Sequence, residues 1–308
     1  MSTRLYTHPI YLEHLTPAGH PERPDRMRAL ETAFSDARFD ALDRRQPDAA
    51  GEDAVLLAHP EAHLAYVKSV IPEDGMVPID ADTMASPKSF EAAMTAIGGA
   101  LAGVDDVFSG EADNVFLAAR PPGHHAETDR AMGFCFFNQA AIAARHAQRN
   151  HGAERVAVVD WDVHHGNGTQ QIFWDDPSVL YCSTHQMPLF PGSGAKGETG
   201  AGNIVNAPLS ANMGSDHFRQ AFNELVLPAI ENMRPDLIIV SAGFDAHHRD
   251  PLAQINLTGD DFDWATGKLM DIADQFCNNR LVSVLEGGYD LEGLAESATA
   301  HVERLMRG

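Results

Sequence analysis

The segment Asp160-Trp-Asp162-Val-His164 sets two carboxylates and an imidazole at alternate positions. In an extended chain, residues two apart project to the same side, so all three share one face. Asp162 and His164 then offer an oxygen and a nitrogen to a divalent cation, and Asp245 is a candidate third donor. Three protein ligands with an open position are the layout of a catalytic zinc site. Two carboxylates with one imidazole also suit Fe²⁺, Co²⁺ or Mn²⁺. Taken singly, each residue has an ordinary explanation, a capped turn for Asp162 and His164 and a helix N-cap for Asp245. Their matched positions after separate apolar runs favour the metal. His124 and His125 follow Pro121-Pro122-Gly123, where the backbone must turn sharply. Beside a metal, an imidazole takes a proton from an activated water and returns it to a departing amine. Each imidazole needs an acceptor on its other nitrogen, and Asp160 and Asn167 are the nearest candidates. Tyr289 follows Gly287-Gly288, and a phenol at that place donates to the oxyanion of a tetrahedral intermediate.

The elements that must position these groups are visible as short apolar runs. They are Val115–Ala119, Val156–Val159, Val179–Cys182, Leu237–Val240 and Leu281–Leu285. Uninterrupted Val, Ile and Leu mark strands buried on both faces. Helix-like segments such as Gln139–Arg149 and His217–Asn232 lie between them, so an α/β fold with a mainly parallel sheet is expected. Ligands of such sheets bind beyond the carboxyl ends of the strands, where His124, Asp162, Asp245 and Tyr289 all fall. Asp25 is expected to cap a helix through Phe34, and Ser86, with Pro87 at the first helical position, to cap one over 86–104. No linker divides the chain, so residues 1–308 are read as one domain. The glycine-rich stretch 192–202 contains a nominal GxGxxG, but Pro188 and Pro191 precede it and Pro208 follows. A dinucleotide fingerprint needs a strand before and a helix after, so this is read as a specially turned loop. Gly133-Phe134-Cys135-Phe136-Phe137-Asn138 reads mainly as core, with Phe134 and Phe190 candidates to line an apolar channel. His247 and His248 are expected at the surface. His8, His14 and His20 are expected to be structural or at the site rim.

Lys plus Arg number 22 against 44 Asp plus Glu, a net charge of −22. That disfavours a nucleic-acid partner and favours cationic ones. No stretch approaches 18 apolar residues, so no membrane span is expected. Three cysteines without CxxC spacing, and no apolar run near the start, point to a reducing, cytoplasmic setting. Nothing in the sequence sets an oligomeric state.

The ordered set His20-Pro-Glu-Arg-Pro-Asp-Arg26, Arg120-Pro-Pro-Gly-His-His125, Gly133–Asn138, Asp160-Trp-Asp-Val-His-His-Gly-Asn-Gly168, Ser241-Ala-Gly-Phe-Asp245 and Glu286-Gly-Gly-Tyr289 resembles the histone deacetylase superfamily. That superfamily includes bacterial acetylpolyamine amidohydrolases. The resemblance spans nearly the whole chain. It implies an arginase/deacetylase-like fold, an eight-stranded mainly parallel sheet flanked by helices. It also implies zinc on Asp162, His164 and Asp245, with His125 as general base and acid and His124 as its electrostatic partner. Asp160 matches the partner of His124, and Tyr289 the group that polarises the substrate carbonyl. A structural potassium ion is implied at Asp160, Ser183 and Thr184 with the carbonyls of Asp160, Asp162 and His164. Gly133, Phe134 and Phe190 match the acyl-lysine tunnel. Asn167, where class I enzymes carry Asp, resembles the class II type. Leu252 stands where a polyamine-selective enzyme carries a gatekeeper Glu, which favours acyl-lysine over an acetylated polyamine. The implied activity is zinc-dependent hydrolysis of an acylated primary amine. An arginase-like ureohydrolase would need a second bridging set of carboxylates, and a silent acyl-lysine-binding module would need no Tyr289.

Overall fold

The computed structural model describes residues 1–308. In chain order the elements are β1 (Thr3–Tyr6), α1 (Asp25–Phe34), β2 (Asp43–Arg45), α2 (Glu52–Val55) and α3 (Glu61–Val70). The two-residue strands β3 (Val77–Pro78) and β4 (Met84–Ala85) precede α4 (Ser89–Ser109), β5 (Asn114–Leu117), α5 (Gln139–His151) and β6 (Val156–Asp160). Next come α6 (Asn167–Ile172), β7 (Val179–Gln186), β8 (Ile204–Leu209), α7 (Ser215–Ala221) and α8 (Leu227–Met233). The chain ends with β9 (Leu237–Ala242), α9 (Gly259–Phe276), β10 (Leu281–Leu285) and α10 (Leu291–Arg307).

Eight strands form one sheet in the order β2-β1-β5-β10-β9-β6-β7-β8, and every neighbouring pair is parallel. The interior strands β5, β6, β9 and β10 are buried at every position. Helices on both faces bury the continuous apolar runs. One cluster of 67 buried apolar residues runs through the sheet and its helices. A second cluster of 11 joins α2, α3 and α4 to Phe136 and Phe137, so those two rings are core.

Three sheet strands carry no apolar run. Arg4 in β1 is buried against Asp43 and Asp106, so a charged residue occupies a core strand as part of an ion pair. The edge strand β2 is Asp43-Arg44-Arg45, and the opposite edge β8 contains Asn206 and Pro208. Helix α4 begins at Ser89, later than the Ser86-Pro87 signal suggests, and runs on to Ser109. Ser86 makes its bonds elsewhere: its Oγ accepts from Leu15 N, and its N–H donates to Ser89 Oγ. The helix expected over His217–Asn232 is α7 and α8 joined by a π-turn at Phe222–Val226. Helix α1 spans Asp25–Phe34, but Asp25 is its first residue and not its cap, because Pro24 holds the cap position and no side chain bonds the free N–H groups there. The 192–202 stretch links β7 to β8, with no helix after it, so it lacks the setting of a dinucleotide site. Gly192, Gly194, Gly200 and Gly202 have positive φ there, which makes it the specially turned loop. No helix is long and apolar enough to cross a membrane.

Candidate active site

The four strands β5, β10, β9 and β6 stand side by side, and their carboxyl ends deliver the polar residues to one edge. Asp162, His164 and Asp245 are all buried, and their ligand atoms lie within 4.8 Å of one another. His164 Nδ1 is 3.0 Å from Asp245 Oδ2 and 3.3 Å from Asp162 Oδ1. Backbone N–H groups orient the carboxylates: Gly287 N donates to Asp162 Oδ2 and Val163 N to Asp245 Oδ1. Neither carboxylate pairs with a Lys or Arg. Two buried carboxylates facing one imidazole are a cost unless a cation joins them. The donor set therefore fits a divalent metal ion.

His124 and His125 stack with ring centroids 4.0 Å apart and differ in environment. Burial alone would lower the pKa of His124, but the carboxylates of Asp162, Asp160 and Glu286 hold it well above the usual imidazole range. Its Nδ1 donates to Asp160 Oδ2 at 3.0 Å, and Tyr181 donates its hydroxyl to the same oxygen at 2.9 Å. His125 goes the other way: burial, then the charge on His124 and His164, push it well below the usual range. Its Nδ1 lies 2.8 Å from Asn167 Oδ1, and Asn167 Nδ2 lies 2.7 Å from Glu127 Oε1. A carboxylate only accepts, so the amide must turn its NH₂ to Glu127 and its oxygen to His125. His125 thus carries its proton on Nδ1 and leaves Nε2 with a free lone pair.

Tyr289 is held by its backbone. Its N–H donates to Asp250 Oδ2 at 2.7 Å, while Leu252 N donates to the other oxygen of Asp250 at 3.0 Å. Burial, then the charges of Asp245 and Asp162, keep the phenol protonated and hence a donor. The Arg26 guanidinium lies 5.1 Å from the Tyr289 ring centroid and donates to the carbonyls of Gly288 and Glu286. These side chains end a cavity of about 230 Å³ walled by Phe134, Phe190, Leu189 and Leu252. Phe134 is T-shaped to Tyr289 at 5.8 Å, and Phe190 to His125 at 5.1 Å. Gly133 has φ +57°, and a Cβ there would stand 2.5 Å from His125 Cδ2, so no other residue fits against the imidazole.

A family model described as the histone deacetylase domain matches residues 20–305. This chain belongs to the histone deacetylase family. The family is one of deacetylases and amidohydrolases. Histone deacetylase-like amidohydrolase of Pseudomonas aeruginosa is 42% identical, over 94% of this chain and 77% of its own. A probable deacetylase of Archaeoglobus fulgidus is 37% identical, over 100% of this chain and 87% of its own. The crystal structure of the HDA15 HD domain superposes with a TM-score of 0.94 and 37% identity, over 99% of this chain and 88% of that one. The eight-stranded parallel sheet is thus the histone deacetylase fold.

Within this deacetylase fold, the residues read from the strand ends do meet at one edge. Asp160 is the register partner of Ser183 across β6 and β7, with Thr184 buried beside it. Ser183 Oγ also bonds His185 Nδ1 at 2.9 Å. His247 is a correction: it is buried beside α10, its Nε2 3.4 Å from Glu296 Oε1, whereas His248 is exposed. His20 packs edge-on against Phe134 at 4.8 Å, behind the cavity wall that Phe134 forms, and His14 is buried against Ser89 and Glu22. Several supporting residues were given no role from the sequence. They are Glu127, Asp250, Tyr181, and Glu286, whose Oε2 accepts from the backbone of Gly123 and His124. Glu286 stands in the Glu286-Gly-Gly-Tyr289 motif directly after an apolar run, but that position did not reveal which backbone groups it holds. No second set of bridging carboxylates stands at this edge, as an arginase-like pair of metals would require.

Proposed function

We propose that this chain is a zinc-dependent amidohydrolase that removes an acetyl or other short acyl group from acyl-lysine, with residues 1–308 acting as one catalytic domain. The observation that carries the reading is the convergence of three kinds of group at the end of an apolar cavity. They are a three-donor cluster, a histidine with a free Nε2, and a protonated phenol. Asp162, His164 and Asp245 would hold the ion, which supplies polarisation of the amide carbonyl and acidifies a water.

The chain's own residues do the rest. Phe134, Phe190 and Leu252 seat the stem of the acylated side chain and exclude bulk water. His125 Nε2 takes the proton of the attacking water, and Asn167 keeps Nδ1 as a donor throughout. Charged His124, fixed by Asp160, holds the pKa of its neighbour low so that His125 starts neutral. The Tyr289 hydroxyl donates to the oxygen on which negative charge develops. His125 then passes the same proton to the departing amine, leaving acetate and a primary amine.

Potassium at Asp160, Ser183 and Thr184, with the carbonyls of Asp160, Asp162 and His164, is part of the same proposal. The pairing of Asp160 with Ser183 supports it. Three free, buried cysteines support a reducing cytoplasmic setting. Leu252 at the cavity wall offers no charge to the inner ammonium of a polyamine, which favours acyl-lysine. The test is turnover of an acetyl-lysine peptide and of an acetylated polyamine by zinc-loaded protein, alongside Tyr289→Phe. The variant should lose about 10²–10³ in kcat with little change in KM. Turnover like that of the unaltered protein would overturn the role of Tyr289. Faster turnover of the polyamine would overturn the inference from Leu252.

A further inference from the structure

Far from the strand ends, a second group of metal-donor side chains bridges α4 and α5. Asp105 of α4 points its Oδ1 at two histidines of α5, 2.7 Å from His146 Nε2 and 2.6 Å from His151 Nε2. The three donor atoms lie within 4.8 Å of one another. His146 and His151 are five apart, a spacing that leaves them on different sides of a straight helix. They converge because His151 is the last residue of α5, before Gly152 in the left-handed region at φ 68°. The His151 ring is then fixed by stacking on Phe108 at 4.7 Å and 16°. His146 is buried and locked from behind by Asn150, whose Nδ2 bonds its Nδ1 at 3.2 Å. Two imidazoles are thus anchored with their Nε2 atoms aimed at one point, and the carboxylate between them is half exposed.

We infer that Asp105, His146 and His151 form a second metal site, for a divalent ion of the kind that prefers imidazole, such as Zn²⁺, Ni²⁺ or Co²⁺. Two nitrogens and one carboxylate oxygen select these ions over Mg²⁺ and Ca²⁺, and solvent completes the coordination. Metal bonds of about 2.0–2.1 Å at tetrahedral angles set donors about 3.3 Å apart. Asp105 therefore retreats by about 0.6 Å from each nitrogen to admit the ion, and its exposure leaves it free to do so. Proton balance is simple. Each ring moves its proton from Nε2 to Nδ1, and none is lost. The Nδ1–H of His146 then finds an acceptor when the Asn150 amide turns over to present its oxygen.

The site is separate from the catalytic edge. His151 lies just before the first residue of β6, and Asp105 in the last turns of α4, before β5. Both therefore sit at the end of the sheet where strands begin. The five residues of β6 put about 16 Å between the two edges. A bound ion would tie the far ends of α4 and α5 together without touching substrate.

Metal content decides the matter. Protein without a histidine tag is stripped by chelation, equilibrated with Zn²⁺ and counted by elemental analysis. The unaltered chain should hold two equivalents, and His151→Ala and His146→Ala one each with turnover retained. His164→Ala should also hold one, with turnover lost. The same zinc count in His151→Ala as in the unaltered chain, whatever that count is, would overturn the site. Should His164→Ala fail to fold, the difference between the unaltered chain and His151→Ala decides by itself. The inference does not rest on the proposed deacylation, because the count falls in His151→Ala whether or not any substrate turns over. In the unaltered chain, Zn²⁺ should also raise the melting temperature beyond the rise seen in His151→Ala.

Discussion

Replacing Asn167 with Asp exchanges a neutral acceptor for a charged one 2.8 Å from Nδ1 of His125. A unit charge about 4 Å from the centre of an imidazolium is worth about 4 kcal/mol at an effective dielectric of about 20. One pH unit corresponds to about 1.4 kcal/mol, so the ceiling is about three pH units. Two features lower it. Glu127 Oε1 sits 2.7 Å from the amide nitrogen that would become a carboxylate oxygen, so the two acids repel and the new one is less fully ionised. A cavity of about 330 Å³ lined by Glu127, Asn167 and Gln171 also brings water to that side. The pKa of His125 is therefore expected to rise by about one to two. His125 must be neutral to act as base, so the acid limb of kcat/KM should move to higher pH by that amount. At a fixed pH below the limb, activity falls about tenfold for each pH unit the limb moves. The assay is a pH profile with an acetyl-lysine peptide for the unaltered protein, Asn167→Asp, and Asn167→Asp with Glu127→Gln. The double variant removes the opposing acid and should carry the limb to the upper end of that range. A limb that stays in place, or moves to lower pH, would refute the claim that Asn167 governs the base.

Three other outcomes follow from buried groups. Glu22 is fully buried and pairs with Arg120 and Arg26, so Glu22→Ala strands two guanidinium groups and should cost about 3–5 kcal/mol in urea unfolding. A loss below about 1 kcal/mol would mean that water or His14 replaces the carboxylate. Gly133→Ala places a methyl group against His125 at a positive φ, so kcat should fall by at least about tenfold while the circular dichroism spectrum stays unchanged. Unaltered kcat would show that the imidazole has room to move. Burial holds His301 neutral between Thr266 and Ser283, with its pKa lowered to about 3. The unfolded chain takes up the extra proton below about pH 6.5, so stability falls as pH drops from there toward about 3. His301→Gln should remove up to about 1.4 kcal/mol per pH unit from that slope between about pH 6 and 4, read from urea midpoints. An equal slope in both proteins would count against the assignment.

What the sequence made legible follows from how the groups are placed. His124, Asp162, Asp245 and Tyr289 each stand a few residues after an apolar run, so a parallel sheet brings them together whatever its strand order. The supporting residues lack that marker. Glu22 meets Arg120 across 98 positions, and Asp250 reaches Tyr289 across 39, through pairings that only the folded chain defines. Strands β1 and β8 escaped pattern reading because Arg4, Asn206 and Pro208 interrupt any apolar run. His247 looked like a surface residue because its cover, α10, comes more than forty residues later. The start of α4 shifted because Ser86, instead of capping the helix, accepts a bond from Leu15 N across 71 positions.

The two edges of the sheet bear on how the molecule fails. At one edge β2 is three residues long and wholly charged, and at the other β8 carries a proline that removes a donor from the strand. Neither offers another chain a long, flat row of free amide and carbonyl groups. The segments able to template such pairing, VAVVD, LIIVSA and LVSVL, are the innermost strands, and the native fold seals them. Fibrillar or amorphous aggregation should therefore start from molecules that have already opened. Its rate should follow the unfolded population rather than the concentration of the intact protein.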